Sequence, residues 1–101
     1  MNEITFSWDP QKNSENQRKH DVSFEEGPTV FFDDDARLIG DPDHSDEEDR
    51  YILLGMSLKL RILVVCHCYR QCDHEIRIIS ARKARPGERR QYEEFKNEKR
   101  I

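Results

Sequence analysis

No stretch of the chain approaches the roughly 18 consecutive apolar residues of a membrane-spanning helix, which argues against such a span. The polar opening, MNEITFSWD, lacks the basic and apolar regions of a secretory signal, so a soluble cytoplasmic protein is expected. Cysteine is scarce and odd in number. For Cys66, Cys68 and Cys72, reduced thiols and no structural disulfide are the expectation in that compartment. No repeat, low-complexity tract or linker divides the 101 residues, and a chain this short supports one core, so a single domain over 1–101 is predicted.

Apolar residues make up only 35% of the chain and charged residues 38%, a balance that would mean disorder if the apolar residues were evenly spread. They are instead clustered, in 4–8, 30–32, 38–39, 51–56, 62–69 and 76–81, as short strands require. The net charge of −4 conceals an asymmetry. Residues 1–50 carry five Lys/Arg against fifteen Asp/Glu, and residues 51–101 carry twelve against six. A basic second half suits phosphate recognition, while the acidic first half is either a solvated face or a surface for a basic partner.

The order of elements predicts an α+β fold. Ile4, Phe6 and Trp8 alternate with polar residues, as in a short edge strand facing the core. Asp9-Pro10 is an N-cap followed by a first-turn proline, opening a polar surface helix to about His20. Ser23 to Glu26 reads as a capping box for a second short helix, which Gly27-Pro28 should distort. A strand is expected over 36–40, then an acidic loop over 41–49. Strands over 51–56, 61–69 and 75–81 read as three antiparallel neighbours, in a central sheet of three to four strands. Pro86-Gly87-Glu88 starts a C-terminal helix with Tyr92 and Phe95 on one face.

Several segments in this order resemble the BrnT family of small toxins: Phe6-Ser7-Trp8-Asp9, the run from Asn16 to Glu26, Val30-Phe31-Phe32-Asp33, His44 to Arg50, and Ile76 to Ala84 with Glu88, Arg89 and Tyr92. The string IRIISARKA is the most specific. Gly27-Pro28 and Cys66-His67-Cys68 depart from the family's usual residues, and neither touches the basic strand ends. The resemblance implies a RelE-like fold and an endoribonuclease toxin of a type II toxin–antitoxin system. It also implies RNA as substrate, inhibition of translation, no cofactor, and a BrnA-type antitoxin as partner, through which operator DNA is contacted. A catalytically weak co-repressor that docks an antitoxin is the competing reading.

Metal-free RNA cleavage requires a proton to leave the ribose 2′-hydroxyl, positive charge on the phosphorane-like transition state, and a proton for the departing 5′-oxygen. Arg70, Arg77, Arg82 and Lys83 would gather at one edge of a hairpin, and the always-charged fork of Arg suits that role. Glu48, His20, His44, His67 and His74 are the candidate proton carriers, with Lys19, Lys83 and Tyr92 as alternatives. Trp8, Lys19, Arg50, Ser80, Arg89 and Tyr92 are the candidates for holding RNA.

Plainer readings stand beside these. Arg82, Lys83 and Arg85 also fit a solvated approach to a helix, and Lys19-His20 fits cations complementing a helix C-terminus. Trp8 also fits a core anchor, and Glu48 a solvated loop. Zinc on Cys66, Cys68, Cys72 and His74 would need a spacing unlike the common patterns, so no metal is expected.

Overall fold

The computed structural model describes residues 3–40, 50–72 and 74–98. Its elements run β1 (Thr5–Ser7), α1 (Pro10–His20), a 3-10 helix (Gly27–Phe32), β2 (Arg37–Gly40), β3 (Arg50–Met56), β4 (Ile62–Arg70), β5 (Glu75–Lys83) and α2 (Pro86–Glu98). The strands form one sheet in the order β1-β5-β4-β3-β2. It is therefore larger than the three to four antiparallel strands expected, and mixed: β1 joins β5 in parallel, pairing Phe6 with Ile76, and the other contacts are antiparallel. Pairing of strands nearly 70 residues apart leaves no local signature in the sequence.

The two faces of the sheet carry separate cores. On one, Val22, Phe24 and Val30 cover Leu53, Leu63, Val65, Ile76, Ile78 and Ala81. On the other, Tyr92 of α2 packs on Leu54 and Val64. A bulge between Cys66 and His67 pairs Cys66 with Ser80 but His67 with Ile78, leaving Ile79 as the additional residue. The extra residue shifts the alternation of β5 by one. Ile76, Ile78 and Ala81 consequently share the first core, while Arg77, Ser80 and Arg82 fall on the α2 side. At the other end of the alternation in β1, Ile4 is 58% exposed, not core-facing as its spacing suggested.

Inner strands β4 and β5 have nine residues each, whereas outer strands β1 and β2 have three and four. Backbone groups beyond the short strands need other partners. On the β5 margin, Asn16 of α1 accepts from the Ala81 amide at 3.2 Å and donates to the carbonyls of Ala81 at 2.7 Å and Val22 at 2.8 Å. This docks a helix that has no apolar stripe. On the β3 margin, Asp33 Oδ2 accepts from the Met56 amide at 2.8 Å and from the Tyr92 hydroxyl at 2.7 Å. Close approach there requires Gly55, because a Cβ on it would lie 2.9 Å from Ala36 Cβ.

The ends of α1 follow the sequence: Asp9 Oδ1 caps the Gln11 amide at 2.9 Å, and Asp21 closes the helix in the left-handed region at φ 57°. The expected capping box forms only in half. Ser23 Oγ accepts from the Glu26 amide at 3.0 Å, but the buried Glu26 carboxylate receives Ser57 Oγ at 2.7 Å and a two-pronged contact from Arg61. That diversion, with Pro28, leaves a six-residue 3-10 helix, in keeping with the distortion expected of Gly27-Pro28.

Three carboxyls stay below their ordinary values. Burial pushes Glu26 up, but Arg61 and Ser57 outweigh it; burial likewise opposes the Met56, Asp35 and Tyr92 hydrogen bonds at Asp33; and Arg82 holds Glu88 down directly. His67 is wholly buried, and burial pulls its pKa below 6.5, against a smaller upward effect of Val65 O.

Two predictions follow from these contacts. Asn16→Ala should cost about 2–3 kcal/mol, because it strands backbone groups of β5, and urea unfolding that shows no loss would refute the edge role. Stability should also fall in two acid stages. An unfolded chain protonates His67 first, so stability declines as pH drops below about 6.5. The carboxyl contribution is complete above about pH 4.5 and is lost as pH falls through the lowered folded values. Urea midpoints against pH should show both stages in the native chain, and His67→Gln should remove only the first.

Candidate active site

Arg50 on β3, Cys68 on β4 and Arg77 on β5 are register partners, forming a row across three strands. Adjacent strands lie about 4.8 Å apart, so the two arginines start about 10 Å from each other with a small buried thiol between them. Arg70 lies two residues beyond Cys68, on the same face. All four line a cavity of about 140 Å³, together with Asp9, Lys12, Ile78 and Ile79. Among the described residues Asp9 is the one acid lining it, against four cations.

Lys12 reaches this place through the docking of α1. It lies one turn before Asn16 on the same helix face, so anchoring Asn16 at Ala81 carries Lys12 along the margin of β5 toward Arg77. Asp9 is spent as the helix cap. Glu75, the register partner of Arg70, accepts a hydrogen bond from Ser7 Oγ. Among the described residues neither Arg70 nor Arg77 has an ion-pair partner. The cavity thus offers converging, strongly hydrogen-bonding positive charge, which fits a phosphate and its transition state. The same charge disfavours a divalent metal ion, and among the described residues one carboxylate is too few to hold it.

Of the residues nominated from sequence, the structure brings Arg50, Arg70 and Arg77 together and leaves the other described ones outside the cavity lining. Arg82 donates through both terminal nitrogens to the Glu88 carboxylate, at 2.8 and 2.9 Å, and Glu88 also caps the Arg85 amide at 2.8 Å. Its charge fastens α2 to β5. Lys83 lies 3.6 Å from Asp21, and Arg89 is exposed on α2. Tyr92, nominated for RNA, is 1% exposed and belongs to the core, its hydroxyl committed to Asp33.

Lys19 and His20 are exposed at the far end of α1, about 12 Å along the axis from Lys12. Trp8 is half-buried with its ring edge-on to Phe24 at 6.5 Å, as a core anchor. Ser80 is half-buried beside Cys66 in register, on the face of the cavity. His67 is enclosed by Phe31, Tyr51 and Tyr69, and His74 sits in the β4–β5 turn. Glu48 and His44 lie outside the described residues. Sequence reasoning missed Lys12 and the place of Cys68 as the cavity floor. The available signal for Lys12 was its four-residue spacing from Asn16.

Among curated proteins none matches the chain. A solved structure with a similar fold is the 1.1 Å crystal structure of the Brucella abortus ribonuclease toxin, BrnT. Its TM-score is 0.63 at 21% identity, and the match covers 81% of this chain and 97% of that one. The family profile described as ribonuclease toxin, BrnT, of type II toxin-antitoxin system matches residues 8–88, which contain every residue lining the cationic cavity. With a match extending over most of its length, the chain belongs to the BrnT family of type II toxin–antitoxin ribonuclease toxins.

Proposed function

We propose that this chain is an active, metal-independent endoribonuclease whose site is the Arg50, Arg70 and Arg77 cavity. The observation that carries the reading is the convergence of cations, two of them without a described acidic partner, on one small cavity of a ribonuclease-family fold. In the reaction, the ribose 2′-oxygen gives up its proton and bonds to the adjacent phosphorus. The bond to the 5′-oxygen breaks, and that oxygen takes up a proton. Negative charge grows on the non-bridging oxygens at the phosphorane-like stage, where preorganised guanidinium groups act most strongly. Positioning and charge do most of the work, so slow cleavage is expected.

The same reading takes the fold as RelE-like, the site of action as the cytoplasm, and the consequence as inhibited translation and growth. A BrnA-type antitoxin neutralises the toxin, and operator DNA is reached through that antitoxin. Covering cations is the direct way to stop phosphate chemistry.

Purified protein and labelled RNA in EDTA test the proposal. Arg70→Ala or Arg77→Ala should lower cleavage about 100-fold or more while leaving the melting temperature near that of the native chain. Arg82→Ala should do the opposite, lowering the melting temperature by about 5 °C with cleavage within about threefold below the transition. Cleavage insensitive to both cavity arginines would sink the site. No cleavage by the native chain, even with ribosomes supplied, would favour the antitoxin-docking co-repressor.

A further inference from the structure

At the end of the sheet opposite the arginine cavity, the β3–β4 turn displays Leu58 at 78% and Leu60 at 79% exposure. Leu60 also holds φ 63°, the left-handed region that a branched apolar side chain rarely adopts. Neither folding nor solubility favours leucine at this position, since Asn or Gly would be easier for the backbone and better solvated.

The turn is firmly held. Ser57 and Arg61 bond through their backbones at 2.9 Å, the Leu60 amide bonds Ser57 O at 2.9 Å, and the Leu58 amide bonds Thr29 Oγ1 at 3.1 Å. The two leucines are therefore presented on a rigid platform, which reduces the ordering cost of a contact.

Beside the turn runs a groove of about 370 Å³ between the β3–β4 hairpin and α2. Leu60, Met56, Ile62 and Ala84 supply its apolar lining, and Arg61, Lys83 and Arg89 its cations, with Glu93 as the one acid among the described residues; Arg61 is held by Glu26, and Lys83 lies 3.6 Å from the exposed Asp21. Measured along β4 from Ile62 to Arg70, it lies about 25 Å from the arginine cavity.

We infer that this groove and the two leucines anchor an acidic amphipathic helix of the protein antitoxin, apolar side inward and carboxylates toward Lys83 and Arg89. The identity of the partner rests on the toxin reading above. Charge favours an acidic occupant, and the aliphatic lining favours protein over RNA, because leucine offers no ring on which a base can stack. A second copy of this chain is a poor match: α1 has no apolar stripe, and the acidic run 41–49 has no large apolar residue to fill the groove. Docking here leaves the cavity open to a second segment of the same partner and separates affinity from active-site occlusion.

The test measures binding of purified cognate antitoxin by calorimetry to the native chain and to Leu58→Ser/Leu60→Asn, with melting temperature, RNA cleavage and oligomeric state read on the same samples. Asn tolerates the left-handed backbone, so the variant should melt no lower than the native chain. Its Kd for the antitoxin should rise at least tenfold, with free-enzyme cleavage unchanged and cleavage persisting at antitoxin levels that silence the native chain. The same rise in Kd with a native chain that cuts no RNA would uphold the docking site while removing the nuclease reading. An unchanged Kd, a loss of RNA binding, or a dimer of this chain dissolved by the variant would each overturn the proposal.

Discussion

Long inner strands beside short outer ones leave backbone donors and acceptors exposed along both margins of this sheet, and two side chains satisfy them. Asn16 serves Ala81 on β5, and Asp33 serves Met56 on β3. Each contact also fixes a helix. The Asn16 amide seats α1, which has no apolar face to do so by burial, and Asp33 receives the Tyr92 hydroxyl and so ties α2 across the margin of the sheet. Loss of either would leave a buried polar group unpaired as well as a helix loosened, which is why polar contacts carry weight here that the small apolar cores alone would not.

The bulge at Cys66 and His67 divides the sheet into two working ends. Before it on β5, Arg77 points to the α2 side but lies beyond the reach of α2; after it, Arg82 lies on that same side where α2 begins and is taken by Glu88. One sequence-continuous basic segment is thereby split into a cation that faces an open cavity and one that holds a helix. The β4–β5 turn that follows Arg70 places both Gln71 and Cys72 at positive φ, a tight reversal that keeps Arg70 and Arg77 on neighbouring strands close to the same mouth.

Much of the fold was legible because it depends on local chemistry. Asp9-Pro10, the apolar clusters of β3 to β5 and Pro86-Gly87-Glu88 set their elements within a residue or two of the structure. The parallel β1–β5 pairing was not legible, because it joins residues about 70 positions apart. Glu26 looked like a local cap and proved to be a long-range partner of Arg61, 35 residues away, since a buried carboxylate is better matched by a guanidinium than by one amide. The arginines of β4 and β5 were legible as a basic group on neighbouring strands, but the sequence could not separate Arg77 from Arg82, because the bulge and the Glu88 partner decide that difference. Tyr92 misled for a related reason: an aromatic hydroxyl near basic residues suggests RNA, whereas its spacing from Phe95 only says that both share a helix face, not that this face is covered.

The charge asymmetry acquires its meaning from these pairings. Acids of the first half, Glu26 and Asp21, reach cations of the second half, Arg61 and Lys83, and Glu88 takes Arg82. In a chain with more carboxylates than cations, a basic side chain on a crowded sheet is readily supplied with an acidic neighbour. At Arg70 the register partner, Glu75, accepts from Ser7 and makes no ion pair with the arginine, and at Arg77 none is supplied among the described residues. Holding like charges together without internal neutralisation costs free energy that an external anion recovers on binding. The pairing pattern, more than the number of basic residues, therefore distinguishes the cations that build the fold from Arg70 and Arg77, which line the cavity without a described acidic partner.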